Sequence, residues 1–179
     1  MASTISFEAK VQTTGGQRIL RLPEAASKKL PSRGQVAVQG TLNGHAFATV
    51  LEPDGVSGHF MRVDAKLKKA ARIDAGDSAE VEVQPTKAWP EPRVPSDLDD
   101  ALSGASKKVR ELWEAITPMA RWEWVRWVNA TKNPDTRKRR VEVSLSKLGN
   151  GKRRPCCFDL SSCTDPELAK NGKLIDPDE

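Results

Sequence analysis

No apolar run in this chain approaches the ~20 residues that a membrane-spanning helix requires, although apolar residues make up 37% of its 179 positions. The opening Met1-Ala2-Ser3-Thr4-Ile5 has neither the charged nor the hydrophobic region of a secretory signal, so a cytoplasmic protein is expected. Cysteine is scarce, and Cys156, Cys157 and Cys163 all lie near the C-terminus. Adjacent cysteines do not readily bridge each other, and an odd number points to reduced thiols. Their spacing also lacks the fourth ligand a zinc site needs. Histidine is scarcer still. His45 and His59 fit a metal site only if they converge, with Asp77 or Glu52 as third ligand, and the commoner role is a hydrogen-bonded histidine. No nucleophile elbow, H-E-x-x-H, phosphate-binding loop or dinucleotide fingerprint is present. The adjacent carboxylates Asp99-Asp100 suit a helix start, where they complement the dipole. Neither a catalytic residue, a metal nor a cofactor is therefore expected, and the chain reads as a non-enzyme.

What the chain does have is positive charge in one place. Residues 106–155 carry fourteen Lys or Arg against five Asp or Glu, while the last 24 residues carry two against six and residues 1–105 are neutral. Thr136-Arg137-Lys138-Arg139-Arg140 and Gly151-Lys152-Arg153-Arg154 hold much of the excess, close to four of the five Trp: Trp113, Trp122, Trp124 and Trp127. Such asymmetry suits an anionic partner or an acidic tail folded back on the basic segment, with a solvated helical face that does nothing as the alternative.

Hydrophobic periodicity divides the chain into an α+β arrangement: a small six-stranded β-barrel over 1–88, a proline-rich linker over 89–97, a helical domain over 98–155 and an acidic, Cys-bearing, poorly ordered tail over 156–179. Alternating apolar and polar residues predict strands at 5–11, 18–22, 35–42, 45–51, 58–63 and 78–83. Asn43-Gly44 between two of them is a strong hairpin signal. Short helices fit 24–30 and 64–71. Ala88-Trp89-Pro90-Glu91-Pro92-Arg93-Val94-Pro95 favours an extended path. Beyond it, Ser96-Asp97 opens a helix that stops at Gly104. Ser106 caps the next, with Val109, Leu112, Trp113 and Ile116 on one face. Thr117-Pro118 starts a tryptophan helix that Asn133-Pro134 ends. Asp135 is expected to cap the last one, with Val141, Leu145 and Leu148 facing inward.

Both halves also resemble known bacterial families. Ile19-Leu20-Arg21-Leu22-Pro23, the stretch from Gly34 through Asn43-Gly44 to Phe47, Leu51-Glu52-Pro53, Gly58-His59, Ile73-Asp74-Ala75-Gly76-Asp77 and Val81-Glu82-Val83 are similar to a small β-barrel family of unknown function. Its fold is similar to the double-split barrels of AbrB- and MazE-type proteins. The second half resembles the bacteriocin-protection, YdeI/OmpD-associated class. The match runs through Trp113, Thr117-Pro118, Trp124-Val125, Trp127-Val128, Ala130-Thr131-Lys132, Thr136-Arg137, Arg139-Arg140, Leu148 and Gly151-Lys152-Arg153. That resemblance implies a role in resisting antimicrobial peptides or envelope stress, and it implies no catalytic residue.

The candidate binding residues are Arg137, Lys138, Arg139, Arg140, Lys152, Arg153 and Trp127, facing an anionic or protein partner. Guanidinium groups on phosphates would make nucleic acid the alternative partner, with affinity falling as salt rises. Basic residues in a first helical turn oppose the dipole, however, so the alternative is pairing with Glu111, Glu114 or Glu142, with Arg137 and Arg140 structural and bridging to the neighbouring helix. The tryptophans read mainly as core, with Trp122 or Trp127 left beside Arg121 and Arg126 to meet a ligand.

Overall fold

The computed structural model describes residues 3–155, 165–170 and 173–177. The chain divides into two compact units, Met1–Pro90 with Lys173–Glu179, and Glu91–Gly172. The expectations for the three cysteines lie outside the described residues.

In the first unit, alternation along each strand sends one set of side chains inward. The strands are β1 (Ile5–Thr14), β2 (Gln17–Arg21), β3 (Val36–Leu42), β4 (His45–Pro53), β5 (His59–Arg62) and β6 (Ser78–Pro85). They close into a barrel in the order β1-β2-β5-β4-β3-β6, every pair antiparallel. Closure leaves no strand edge to template aggregation. The interior is aliphatic, with Ile5, Val11, Leu20, Val38, Leu42, Leu51, Met61, Ala79, Val81 and Val83 among its buried residues.

Two local features make this path possible. Asn43 and Gly44 both take positive φ, 47° and 83°, so the β3–β4 hairpin turns in two residues, with Leu42 opposite His45. Gly40 leaves room for the β6 backbone against β3: a Cβ built there would stand 1.8 Å from the Glu82 carbonyl oxygen. Helix α1 (Glu24–Ser27) is shorter than expected. After Ser27 the backbone tightens to Lys29 N–H on Ala26 O and Leu30 N–H on Ser27 O ahead of Pro31. Helix α2 (Ala65–Ala71) is capped by Asp64, which accepts from the Leu67 N–H at 2.8 Å.

The second unit holds α3 (Ser96–Ser103), α4 (Lys107–Ala115), α5 (Pro118–Asn129) and α6 (Pro134–Gly149). The unit boundary falls between Pro90 and Glu91, so the later part of the expected linker, including the start of α3, belongs to the helical unit. The core joins Leu98, Leu102, Val109, Ile116, Ala120, Trp124, Val125, Val128, Val141 and Leu148. Trp124 is wholly buried and meets Trp127 edge-on, with ring centroids 6.4 Å apart. Trp113 is partly buried against the same core. Among the described residues no helix is long and apolar enough to cross a membrane.

One expected cap is corrected. Asn133, not Asp135, caps α6: its side chain accepts from Thr136 N–H at 3.0 Å. Pro134 therefore begins that helix as well as closing the turn before it, because the first helical residue needs no N–H. Asp135 sits in the first turn, where its charge suits the dipole. A second correction concerns 156–179. Its described part is not a loose tail. Leu168 and Leu174 are buried, Asp165 takes Lys132 at 3.8 Å and Leu174 N–H donates to Asp54 O at 2.8 Å. Two leucines supply apolar anchors that an acidic average composition conceals.

Candidate binding face of the helical unit

The basic residues sort by what the helix ends require. The last carbonyls of an α-helix have no intrahelical donor, and neither α4 nor α5 ends on a glycine that would supply one by reversing the chain. The next helix supplies an arginine instead. In Thr117-Pro118-Met119-Ala120-Arg121 the threonine caps α5, accepting from Ala120 N–H at 3.1 Å. One turn on, Arg121 reaches back to donate to the carbonyls of Trp113 (3.0 Å), Glu114 (3.3 Å) and Ile116 (2.6 Å). Its other edge grips both Glu91 carboxylate oxygens, at 3.0 and 2.6 Å.

Asn133-Pro134-Asp135-Thr136-Arg137 repeats the device at the next junction. Arg137 donates to the carbonyls of Val128 (3.2 Å) and Thr131 (3.3 Å), and to Asn129 Oδ1 at 3.1 Å. It also grips Asp97 through Nε (2.7 Å) and Nη2 (3.1 Å). These charge-assisted bonds hold the Asp97 carboxyl below its ordinary pKa. Arg140 adds a bond to the Trp127 carbonyl at 2.7 Å. Its guanidinium also lies 5.3 Å from the Trp127 ring centroid, with the Lys147 ammonium at 5.6 Å. Burial lowers the Arg140 pKa from its usual value. The spacing [Thr/Asn]-Pro-x-x-Arg, visible twice in the sequence, was the signal for this role.

Of the seven candidate binding residues, Arg137 and Arg140 thus serve the helix ends, and Trp127 is half-buried beneath two cations. The acid that Arg137 takes is Asp97 rather than Glu111, Glu114 or Glu142. Lys138 and Arg139 are exposed on the outer side of α6, beside exposed Asp135 and Glu142. Lys152 and Arg153 are also exposed, but on a fastened segment. The Trp124 indole donates to the Arg153 carbonyl at 2.9 Å, Lys152 N–H to the Lys147 carbonyl at 2.9 Å, and Arg154 pairs with both Glu123 oxygens. That pairing raises the Arg154 pKa. The exposed cations among the candidates therefore form two pairs, with ~15 Å of helix between Arg139 and the end of α6. They do not form one compact site.

Sequence reasoning missed a cleft of about 430 Å³ in this unit, lined by Asp99 and Leu102 of α3, Arg110, Trp113 and Glu114 of α4, Val94, and the Arg121–Glu91 pair. Its residues come from four separate stretches, so no local motif announces it.

The histidines lie apart. His45 begins β4 opposite Leu42, whereas His59 begins β5 opposite Pro53 at the other end of β4. His59 is fully buried, with Ser27 Oγ 2.6 Å from Nδ1 and the Gly34 carbonyl 2.9 Å from Nε2. A carbonyl only accepts, so Nε2 carries the proton and the Ser27 hydroxyl donates to Nδ1. Burial, reinforced by Arg33, holds the His59 pKa below its ordinary value. Among the described residues no group of three His, Cys, Asp or Glu is placed to hold a metal ion.

The two units coincide with two known families. Residues 7–83 match the Domain of unknown function (DUF1905), the span of the barrel. Residues 91–162 match Bacteriocin-protection, YdeI or OmpD-Associated, beginning where the helical unit begins. No curated protein matches the chain. The chain therefore joins a DUF1905 barrel to a domain of the bacteriocin-protection, YdeI or OmpD-associated family.

Proposed function

We propose that this is a cytoplasmic, non-enzymatic binding protein that contributes to resistance against antimicrobial peptides or envelope stress. The observation that carries the reading is the family match over 91–162, which falls on one compact unit. Binding is assigned to that unit, through an anionic or protein partner. The exposed pairs Lys138–Arg139 and Lys152–Arg153 support an anionic contact. They also argue against those faces taking up cationic peptides, because like charges repel. The test is survival of a deletion strain challenged with bacteriocins and polymyxin-like peptides. Reduced survival, restored by the intact chain, is expected; unchanged survival removes the protective role.

The same exposed cations support a second reading, a nucleic-acid-binding regulator. Retention on duplex DNA that weakens steeply with salt would favour it. Absence of retention at low salt would eliminate it.

A further inference from the structure

The cleft beside Trp113 is lined by three carboxylates, Glu91, Asp99 and Glu114, and by two arginines, Arg110 and Arg121. Arg121 is already committed: its side chain is only 13% exposed and paired with Glu91. Asp99 and Glu114 are exposed and make no ion pair among the described residues, although they line the same cleft from two different helices. The half-buried Trp113 and the apolar side chains of Val94 and Leu102 line the same cleft. An aromatic wall flanked by uncommitted carboxylates is a receptor for a planar cation: the ring attracts positive charge over its face, and a guanidinium forks toward oxygens. Arg110 lines the cleft too, one helical turn before Glu114, and competes for the same carboxylates.

We propose that this cleft takes an arginine side chain from a basic segment of a partner protein. The guanidinium would lie against Trp113 between Asp99 and Glu114, with its methylene stem on Val94 and Leu102. Arginine fits better than lysine because its flat group can stack on indole while donating to acceptors on both sides. The site is distinct from the exposed cationic pairs and needs no role in resistance.

N-acetyl-arginine methylamide, titrated into the whole protein and followed by NMR, tests the assignment. The Trp113 indole resonance is identified by its loss in Trp113→Phe. That resonance should shift saturably with the arginine probe, and about tenfold more weakly with the isosteric, uncharged citrulline analogue. Asp99→Asn and Glu114→Gln should each weaken binding about threefold, and Arg110→Gln should tighten it. An unchanged Trp124 indole resonance establishes that each variant is folded. Equal binding of the citrulline probe, no shift at Trp113, or indifference to both carboxylate substitutions would overturn the proposal.

Discussion

The barrel and the helical unit satisfy their backbones in different ways, and the difference explains where their charged residues went. In the barrel, neighbouring strands close the hydrogen-bond ladder all the way round, and ion pairs such as Arg62–Glu52 (2.8 Å) tie side chains to one another. In the helical unit each helix ends with carbonyls that no ladder serves. At the ends of α4 and α5, Arg121, Arg137 and Arg140 supply the donors. A cationic run that looks like a ligand-binding patch is therefore partly a set of helix terminators. The cations left for a partner are those that face outward.

Substituting Trp124 should separate the units most sharply. Trp124→Ala empties a wholly buried site and removes the indole bond to the Arg153 carbonyl, at a cost of about 3–5 kcal/mol. Tryptophan fluorescence, dominated in this variant by the three indoles left in the helical unit, Trp113, Trp122 and Trp127, should report its early melting. Amide exchange in the barrel strands should hardly change.

The reciprocal substitution is Gly40→Ala. Its methyl would collide with the Glu82 carbonyl, so β3 and β6 must separate, costing about 3 kcal/mol. Exchange should accelerate in those strands, with tryptophan fluorescence unmoved.

Arg137→Met keeps much of the stem but removes the bonds to Asp97 and the α5 carbonyls. A loss of about 2 kcal/mol is expected in the helical unit, seen as a lower denaturant midpoint. Arg139→Ala, which removes an exposed side chain of the same run, should stay within about 0.5 kcal/mol. Equal effects would refute the division of the basic run into structural and free residues.

Acid should also distinguish the units, because both histidines lie in the barrel. The His59 pKa is lowered in the fold, chiefly by burial and further by Arg33, against the opposing pull of the Gly34 carbonyl bond first and of Asp54 after it. Its neutral form is the native one. The stability it contributes is complete above the unfolded value of about 6.5 and is lost as pH falls from there toward the depressed native value. Asp97 in the helical unit is lowered by Arg137. Its contribution is complete above about pH 4 and disappears only as pH falls through its depressed value. Chemical denaturation between pH 7.5 and 5 should weaken the barrel while leaving the helical unit steady, and His59→Gln should flatten the barrel's response.

Much of this fold was legible in the residues because the signals are local. The predicted strands fall on the six of the barrel, Asn43-Gly44 turns as its chemistry requires, and Ser106 and Thr117 cap as their position suggests. Pro134 shows the limit: a proline that follows Asn ends one element and begins another, and spacing alone favoured the first. The candidate site was legible only in part. Charge density marked 136–154, but charge density does not say whether a guanidinium points to solvent or to the preceding helix.

By itself the sequence determined the two-part division, the alternation that builds a barrel and the periodicity that builds the helices, since each depends on neighbours within a few residues. Only the tertiary structure decided which cations are spent: Arg137 meets Asp97 forty residues away, and Arg121 meets Glu91 thirty away. It alone also assembled the Trp113 cleft from four separated stretches. Backbone propensity acts over one or two turns, whereas the direction of a long charged side chain is set by whichever carbonyls and carboxylates the packing brings within reach.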